Sequence, residues 1–109
     1  MSRFAKRPPR IQVFQDMKPF FLINFNTFER QPLLATSAVH EAFLSFCHTA
    51  YGKYNVAVGR YVLMPEHIHF FVVMPQDVSL ADWVGTLKNF LGKSIEKESP
   101  EKPVWQRGF

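Results

Sequence analysis

One stretch of the sequence constrains the fold more than any other: VLMPEHIHFFVVMP, residues 62–75. Pro65 and Glu66 predict a tight turn, and a largely apolar run follows. Because successive side chains of a β-strand point to opposite faces, His67 and His69 project from the same face, about 7 Å apart along the strand. The other face is filled by Ile68, Phe70, Val72 and Met74. The stretch therefore predicts a strand with one apolar face and one face that begins with two imidazoles.

The size and composition of the chain are those of one small globular domain. With 109 residues it can form one modest core, and an apolar content of 47% is too high for a disordered chain. Its one cysteine, Cys47, excludes an internal disulfide and a cysteine-rich zinc site. The sequence contains no apolar run as long as a membrane span, and its N-terminus lacks the apolar segment of a secretory signal. We therefore expect a cytoplasmic protein that makes no membrane contact.

The positive charge of the chain is concentrated at its N-terminus. Of 13 bases, four lie in the first ten residues, which contain no acid: Arg3, Lys6, Arg7 and Arg10. The other nine bases are balanced by nine acids, so the net charge of +4 comes from this segment. We predict a basic N-terminal arm over residues 1–19 and a folded domain over residues 20–109. Such an arm suits a polyanion such as DNA, but a solvated tail that aids solubility fits the charge equally well.

Aromatic and β-branched residues predict three further strand segments. The first covers residues 20–27 and the second residues 54–64, with Gly59 as a bulge. The last, VWQRGF, residues 104–109, opens like a strand at the end of the chain. With the histidine strand over residues 67–74, the sheet is predicted to have four strands.

Two helices are predicted between these strands. Apolar residues at helical spacing indicate a helix that begins at Thr36 or Ser37 and stops at Gly52. A second helix is predicted from Ser79, which acts as its N-cap. The order is then β-α-β-β-α-β, the ferredoxin-like arrangement of an α+β fold, in which both helices cover one face of an antiparallel sheet.

The open face of this sheet is the predicted location of the histidines. The apolar face of the histidine strand should meet the helices, so His67 and His69 should lie on the other face, beside Asn24 and Asn26. Two neutral imidazoles are too few for a closed structural metal site but suit an open catalytic one. Such a site would be completed by one more protein ligand, water and substrate oxygens. The alternative interpretation is a pair of hydrogen-bonded surface histidines.

The histidine stretch resembles the HUH signature (histidine, hydrophobic, histidine) of the single-tyrosine HUH transposases. It looks most like their REP-associated tyrosine transposase branch, within the IS200-like transposase group. FFLINFNTFERQPLL, residues 20–34, is similar to that group's first strand and following loop, and VWQRGF to the start of its fourth strand. The resemblance implies an endonuclease and strand transferase that acts on single-stranded DNA at hairpin-flanked sites. It also implies Mg²⁺ or Mn²⁺ as cofactor, with His67 and His69 as the metal ligands.

The chain departs from this family at two points. The family usually has asparagine where Glu66 stands, and a glutamate there is either a further ligand or a turn residue that faces solvent. The family's nucleophilic tyrosine follows the fourth strand, whereas Tyr51, Tyr54 and Tyr61 all precede the histidines. We therefore expect a chain that is truncated at its C-terminus, with its nucleophile beyond Phe109, and that is inactive alone.

Two residues near the end of the chain are further candidates for DNA contact. Trp105 could stack on an unpaired base and Arg107 could bind a phosphate. A non-catalytic nucleic-acid-binding module of ferredoxin-like fold is the alternative function, and a structural interaction domain is a third. Because related transposases work as dimers or as monomers, a homodimer stays an open alternative.

Overall fold

The computed structural model describes residues 19–97 and 99–109, so the predicted basic residues Arg3, Lys6, Arg7 and Arg10 lie outside the described residues. The elements in chain order are β1 (Phe20–Asn26), a 3₁₀ turn (Phe28–Arg30), α1 (Ser37–Tyr54), β2 (Ala57–Leu63), β3 (His67–Val73) and α2 (Leu80–Gly92). Within this part of the chain, none of the helices combines the length and the hydrophobicity that crossing a membrane requires.

The sheet has the strand order β1-β3-β2, with both neighbouring pairs antiparallel. The histidine strand β3 is therefore central, with a neighbour on each side. His67 lies opposite Asn26 of β1, while His69 lies between Asn24 of β1 and Val62 of β2. Residues that lie directly opposite each other in a sheet share a face, so the asparagines and the histidines face the same way, as predicted.

The core lies between the sheet and the two helices. On β3 the helix-facing side chains are Ile68, Phe70 and Val72, which are at most 1% exposed. Val39 and Phe43 of α1 and four residues of α2 close the core from the other side, the latter being Trp83, Val84, Leu87 and Leu91. This arrangement confirms the predicted α+β architecture, with the helices on one face and the histidines on the other.

The helices begin where the sequence predicts, but the end of α1 differs. The side chain of Thr36 accepts a hydrogen bond from the backbone N–H of Val39, as an N-cap does. The helix passes through Gly52 and ends only at Asn55, whose backbone is left-handed (φ 59°, ψ 29°). The predicted stop at Gly52 is therefore wrong, because asparagine can provide the left-handed cap that glycine more often supplies.

A β-bulge interrupts β2. Pairing with β3 shifts between Val58 and Tyr61, so Gly59 and Arg60 together oppose Phe71. The bulge confirms the interpretation of Gly59 as an irregular position. Beyond it, Tyr61 lies opposite the buried Phe70 on the helix side, and Arg60 lies on the open side.

The predicted fourth strand is reduced to one bridge, between Thr27 and Trp105. Two backbone hydrogen bonds of 2.9 Å accompany it, from Phe28 N to Val104 O and from Gln106 N to Asn26 O. The ammonium of Lys88 on α2 donates to the carbonyl oxygens of Gln106 and Gly108, at 3.2 and 2.7 Å. The last residues are thus fastened both to the end of β1 and to α2.

Candidate metal and nucleic-acid site

The two imidazoles are neighbours on the open face of the sheet. The ring centroids of His67 and His69 are 5.5 Å apart and the ring planes are inclined at 72°. Both side chains are partly exposed, in contrast to Ile68 between them, which is fully buried. The alternation of β3 therefore brings the two histidines together, as the sequence predicts.

The asparagines of β1 extend this polar cluster. Asn24 lies opposite His69 and is exposed, and Asn26 lies opposite His67 and is partly exposed. Each amide offers one acceptor oxygen and two N–H donors. The amides can therefore bind water, or a phosphate oxygen, next to the imidazoles.

The turn before β3 is held in place by the segment that follows β1. The backbone N–H of Thr27 donates to the carbonyl oxygen of Glu66 at 2.9 Å. The Thr27 hydroxyl donates to the carbonyl of Gln31 at 2.8 Å and lies 3.2 Å from the same Glu66 oxygen. Leu34 N donates to the carbonyl of Pro65 at 2.9 Å. Thr27 and Leu34 are themselves almost completely buried. The backbone that carries the histidines is thus fixed by contacts that are distant in sequence.

Glu66 is partly exposed in the turn before β3 but does not only face solvent. Its Oε1 lies 2.8 Å from Nδ1 of His67, and the two side chains are 29% and 22% exposed. The carboxylate therefore contacts the imidazole directly.

The donor atoms present fit a divalent cation bound in an open site. Imidazole nitrogens bind transition-metal ions at about 2.0–2.1 Å, and rings with centroids 5.5 Å apart can each place a nitrogen on one shared ion. Among residues 19–97 and 99–109, no cluster of three or more histidine, cysteine, aspartate or glutamate side chains could hold a metal ion. The described residues therefore offer two imidazoles as candidate ligands, and any further ligands would have to be oxygen donors such as water or substrate.

Arg60 is a residue of the open face that sequence reasoning missed. It lines a hollow of about 330 Å³ beside His69, together with Leu22, Val62 and Phe71. Gly59 predicts a bulge, but the sequence does not show at which residue the pairing of β2 with β3 shifts. The face on which Arg60 lies depends on that position. A guanidinium in this position can bind a phosphate oxygen next to the histidines.

Trp105 lies on the helix side of β1. Its ring meets Phe25 edge-on with centroids 5.1 Å apart, and its indole N–H donates to the carbonyl of Lys88 at 3.0 Å. These contacts pack the ring against the core and α2. Arg107 is exposed. Stacking of Trp105 on DNA and phosphate contact by Arg107 stay predictions.

The three tyrosines of the sequence lie on the helix side of the sheet. A hydrogen bond of 2.6 Å joins the hydroxyl of Tyr61 to Nε2 of His40 on α1. Tyr51 and Tyr54 are exposed residues of α1 itself. All three hydroxyls are therefore separated from His67 and His69 by the sheet.

A family model described as "Transposase IS200 like" matches residues 22–109. Comparison with curated proteins gave no match. Among solved structures, a candidate transposase from Deinococcus radiodurans R1 is 14% identical with a TM-score of 0.56, over 70% of this chain and 58% of that one. A REP-associated tyrosine transposase bound to a REP hairpin is 17% identical with a TM-score of 0.62, over 99% of this chain and 59% of that one.

At these identities the structural likeness shows the fold alone. The chain spans less than two thirds of the length of either protein.

Proposed function

The chain belongs to the family of IS200-like transposases, and on that premise we propose that it is the metal-binding core of a single-stranded DNA endonuclease and strand transferase. The single observation that carries the proposal is the pair of adjacent imidazoles on the open face, with an asparagine opposite each. This arrangement leaves room on one side of the sheet for an ion and a nucleotide strand.

In this proposal His67 and His69 hold Mg²⁺ or Mn²⁺. The ion, when bound, would neutralise the charge that builds up on the oxygens of the scissile phosphate. Asn24 and Asn26 lie directly across the strand pair and orient water or phosphate oxygens at the same site.

In this proposal the covalent step uses a tyrosine outside residues 1–109. A tyrosine oxygen would form a bond to phosphorus while the bond to the 3′ oxygen breaks, giving a 5′-phosphotyrosyl link and a free 3′-OH. The departing 3′ oxygen gains a proton to become the 3′-OH, and the tyrosine hydroxyl loses one, so the step is balanced in protons. None of Tyr51, Tyr54 and Tyr61 lies on the side of the sheet where this reaction would occur, so the chain alone is inactive in this proposal.

DNA binding is proposed for charged residues around the open face. Arg60 lines the hollow next to His69, where its planar guanidinium would pair with a phosphate of the bound strand. The basic arm over residues 1–19 and Arg107 would add phosphate contacts, whereas stacking of Trp105 on a base would require its ring to leave the contacts with Phe25 and Lys88. One similar structure holds a REP hairpin, and we propose hairpin-flanked single-stranded DNA as the substrate class here.

Metal titration of the metal-free protein tests the proposal. We expect one Mn²⁺ per chain, and we expect His67→Ala/His69→Ala to show no binding at concentrations about tenfold above the parent dissociation constant, because both imidazole ligands are removed. Electron paramagnetic resonance of free Mn²⁺ measures the bound fraction.

The matched control is His40→Ala/His48→Ala, which removes two exposed histidines from the helix layer. This variant should bind Mn²⁺ as the parent does. Equal binding by the parent and by the His67/His69 variant would overturn the metal assignment.

A further inference from the structure

The contact between Glu66 and His67 gives the glutamate a specific role. We infer that Glu66 is a positioning residue that holds the His67 ring so that Nε2 faces the metal, rather than a metal ligand itself. This inference rests on the proposed function of the histidines.

The chemistry of the two groups determines which nitrogen carries the proton. An ionised carboxylate only accepts hydrogen bonds, so at a distance of 2.8 Å the Nδ1 of His67 must be the donor. A neutral imidazole carries one proton, and with Nδ1–H bound to Glu66 the lone pair is on Nε2. That tautomer is the one that can bind a metal through Nε2.

The backbone around Glu66 favours this contact. Its carbonyl oxygen accepts a hydrogen bond from the backbone N–H of Thr27 at 2.9 Å, and the backbone N–H of Met64 donates to the carbonyl of His67 at 2.8 Å. Both ends of the short connection between the carboxylate and the imidazole are therefore anchored. Because the backbone is already fixed, forming the contact restricts only the rotatable bonds of the two side chains and costs little conformational entropy.

The two histidines differ in this respect. Among the described residues no side chain or backbone group hydrogen-bonds to the imidazole of His69. The hydrogen bond to Glu66 therefore orients the ring of His67 specifically. Carboxylate partners of metal-binding histidines fix the tautomer and the ring orientation, and removing such a partner typically lowers metal affinity about 10- to 100-fold.

The experiment combines Glu66→Ala, Glu66→Gln and the matched control Glu41→Ala, which removes an exposed glutamate of α1. Nitrogen-15 NMR of labelled histidine, at about pH 8 to keep ordinary imidazoles neutral, reports which ring nitrogen of His67 carries the proton. The signals of His67 are assigned by their loss in His67→Ala. Mn²⁺ titration of each variant gives the dissociation constant.

We expect the parent and Glu41→Ala to show the proton of His67 on Nδ1. Glu66→Ala should shift the proton toward Nε2 and weaken Mn²⁺ binding about 10- to 100-fold. Glu66→Gln keeps the size of the side chain, but its amide can donate as well as accept, so it should show a mixture of tautomers and a smaller loss of affinity.

An unchanged tautomer in Glu66→Ala, or a parent with the proton on Nε2, overturns the inference. Retention of parent Mn²⁺ affinity in Glu66→Ala also overturns it. A parent that binds no Mn²⁺ would instead defeat the proposed function, and it would do so whatever the metal-free NMR spectra show.

Discussion

The two faces of β3 come from the same seven residues but are built under different constraints. Toward the helices, Ile68, Phe70 and Val72 are at most 1% exposed and fill a closely packed core. Toward the open side, His67 and His69 are partly exposed, and a hydrogen bond to Glu66 orients the ring of His67. Packing of side-chain volume therefore determines the helix-facing side, whereas hydrogen bonding contributes to the arrangement of the open side. Substitutions on the open face should therefore change its polar chemistry with less effect on stability than substitutions in the core.

The largest expected effect is on stability, and it should differ between two adjacent residues of β3, Phe70 and Phe71, that lie on opposite faces. Phe70→Ala should lower the free energy of unfolding by about 3–5 kcal/mol, because it leaves a cavity between sheet and helices. Phe71→Ala should lower it by only about 1–2 kcal/mol, since Phe71 is 36% exposed and its ring stacks on the exposed Phe20. Urea unfolding followed by circular dichroism measures both values. Similar losses in the two variants would show that the open face is as important to stability as the core.

The second prediction concerns a thiol on the helix side. Burial raises the pKa of the Cys47 thiol to about 12. Because the thiolate is the reactive form, Cys47 should react with iodoacetamide at least about tenfold more slowly than a free thiol near pH 8.5. Between pH 7 and 9 the rate in the folded protein should stay low but keep rising about tenfold per pH unit, whereas the rate of an ordinary thiol levels off above its pKa of about 8.5. Mass spectrometry measures the rate of alkylation, with the same protein denatured in guanidinium chloride as the control. Equal rates in the folded and the denatured protein would contradict the burial of the Cys47 thiol.

The smallest expected effect tests the charge of the open face. Arg60→Gln should weaken binding of single-stranded DNA several-fold at low salt and reduce the salt dependence of log K by about 0.7, as loss of one phosphate contact does. Lys53→Gln removes an exposed cation from the last turn of α1 and should change neither value. Fluorescence anisotropy at several salt concentrations measures both. Equal losses would mean that the protein binds DNA by its overall charge rather than on this face.

The two faces of β3 can be predicted from the sequence because side chains alternate between the faces of a strand at every second residue. Each apolar residue of the alternation is buried and each histidine is on the open side, because a shift of one residue would have placed both imidazoles in the core. The helix starts at Thr36 and Ser79 were predictable for a local reason, since their side chains accept from backbone N–H groups three residues later.

The features that were not predicted depend on tertiary contacts. The sequence predicts a helix end at Gly52. A glycine inside a helix costs only about 1 kcal/mol, however, and core packing of the same turn, through Ala50, can offset that cost. The position of Trp105 depends on Phe25 and on the carbonyl of Lys88, which are far from it in sequence. The turn that carries Glu66 is anchored by the backbone N–H of Thr27, a contact distant in sequence that no local pattern indicates.

The bulge in β2 has a consequence for the behaviour of the protein in solution. Among the described strands β2 is outermost on its side of β3, and no described strand pairs with the backbone groups of its outer edge, which a strand of another molecule could continue. The extra residue at Gly59–Arg60 breaks the regular spacing of those groups and increases the local twist, and Arg60 adds a charge. Along this edge, strand-to-strand aggregation between copies is therefore disfavoured by the same irregularity that turns Arg60 toward the histidines.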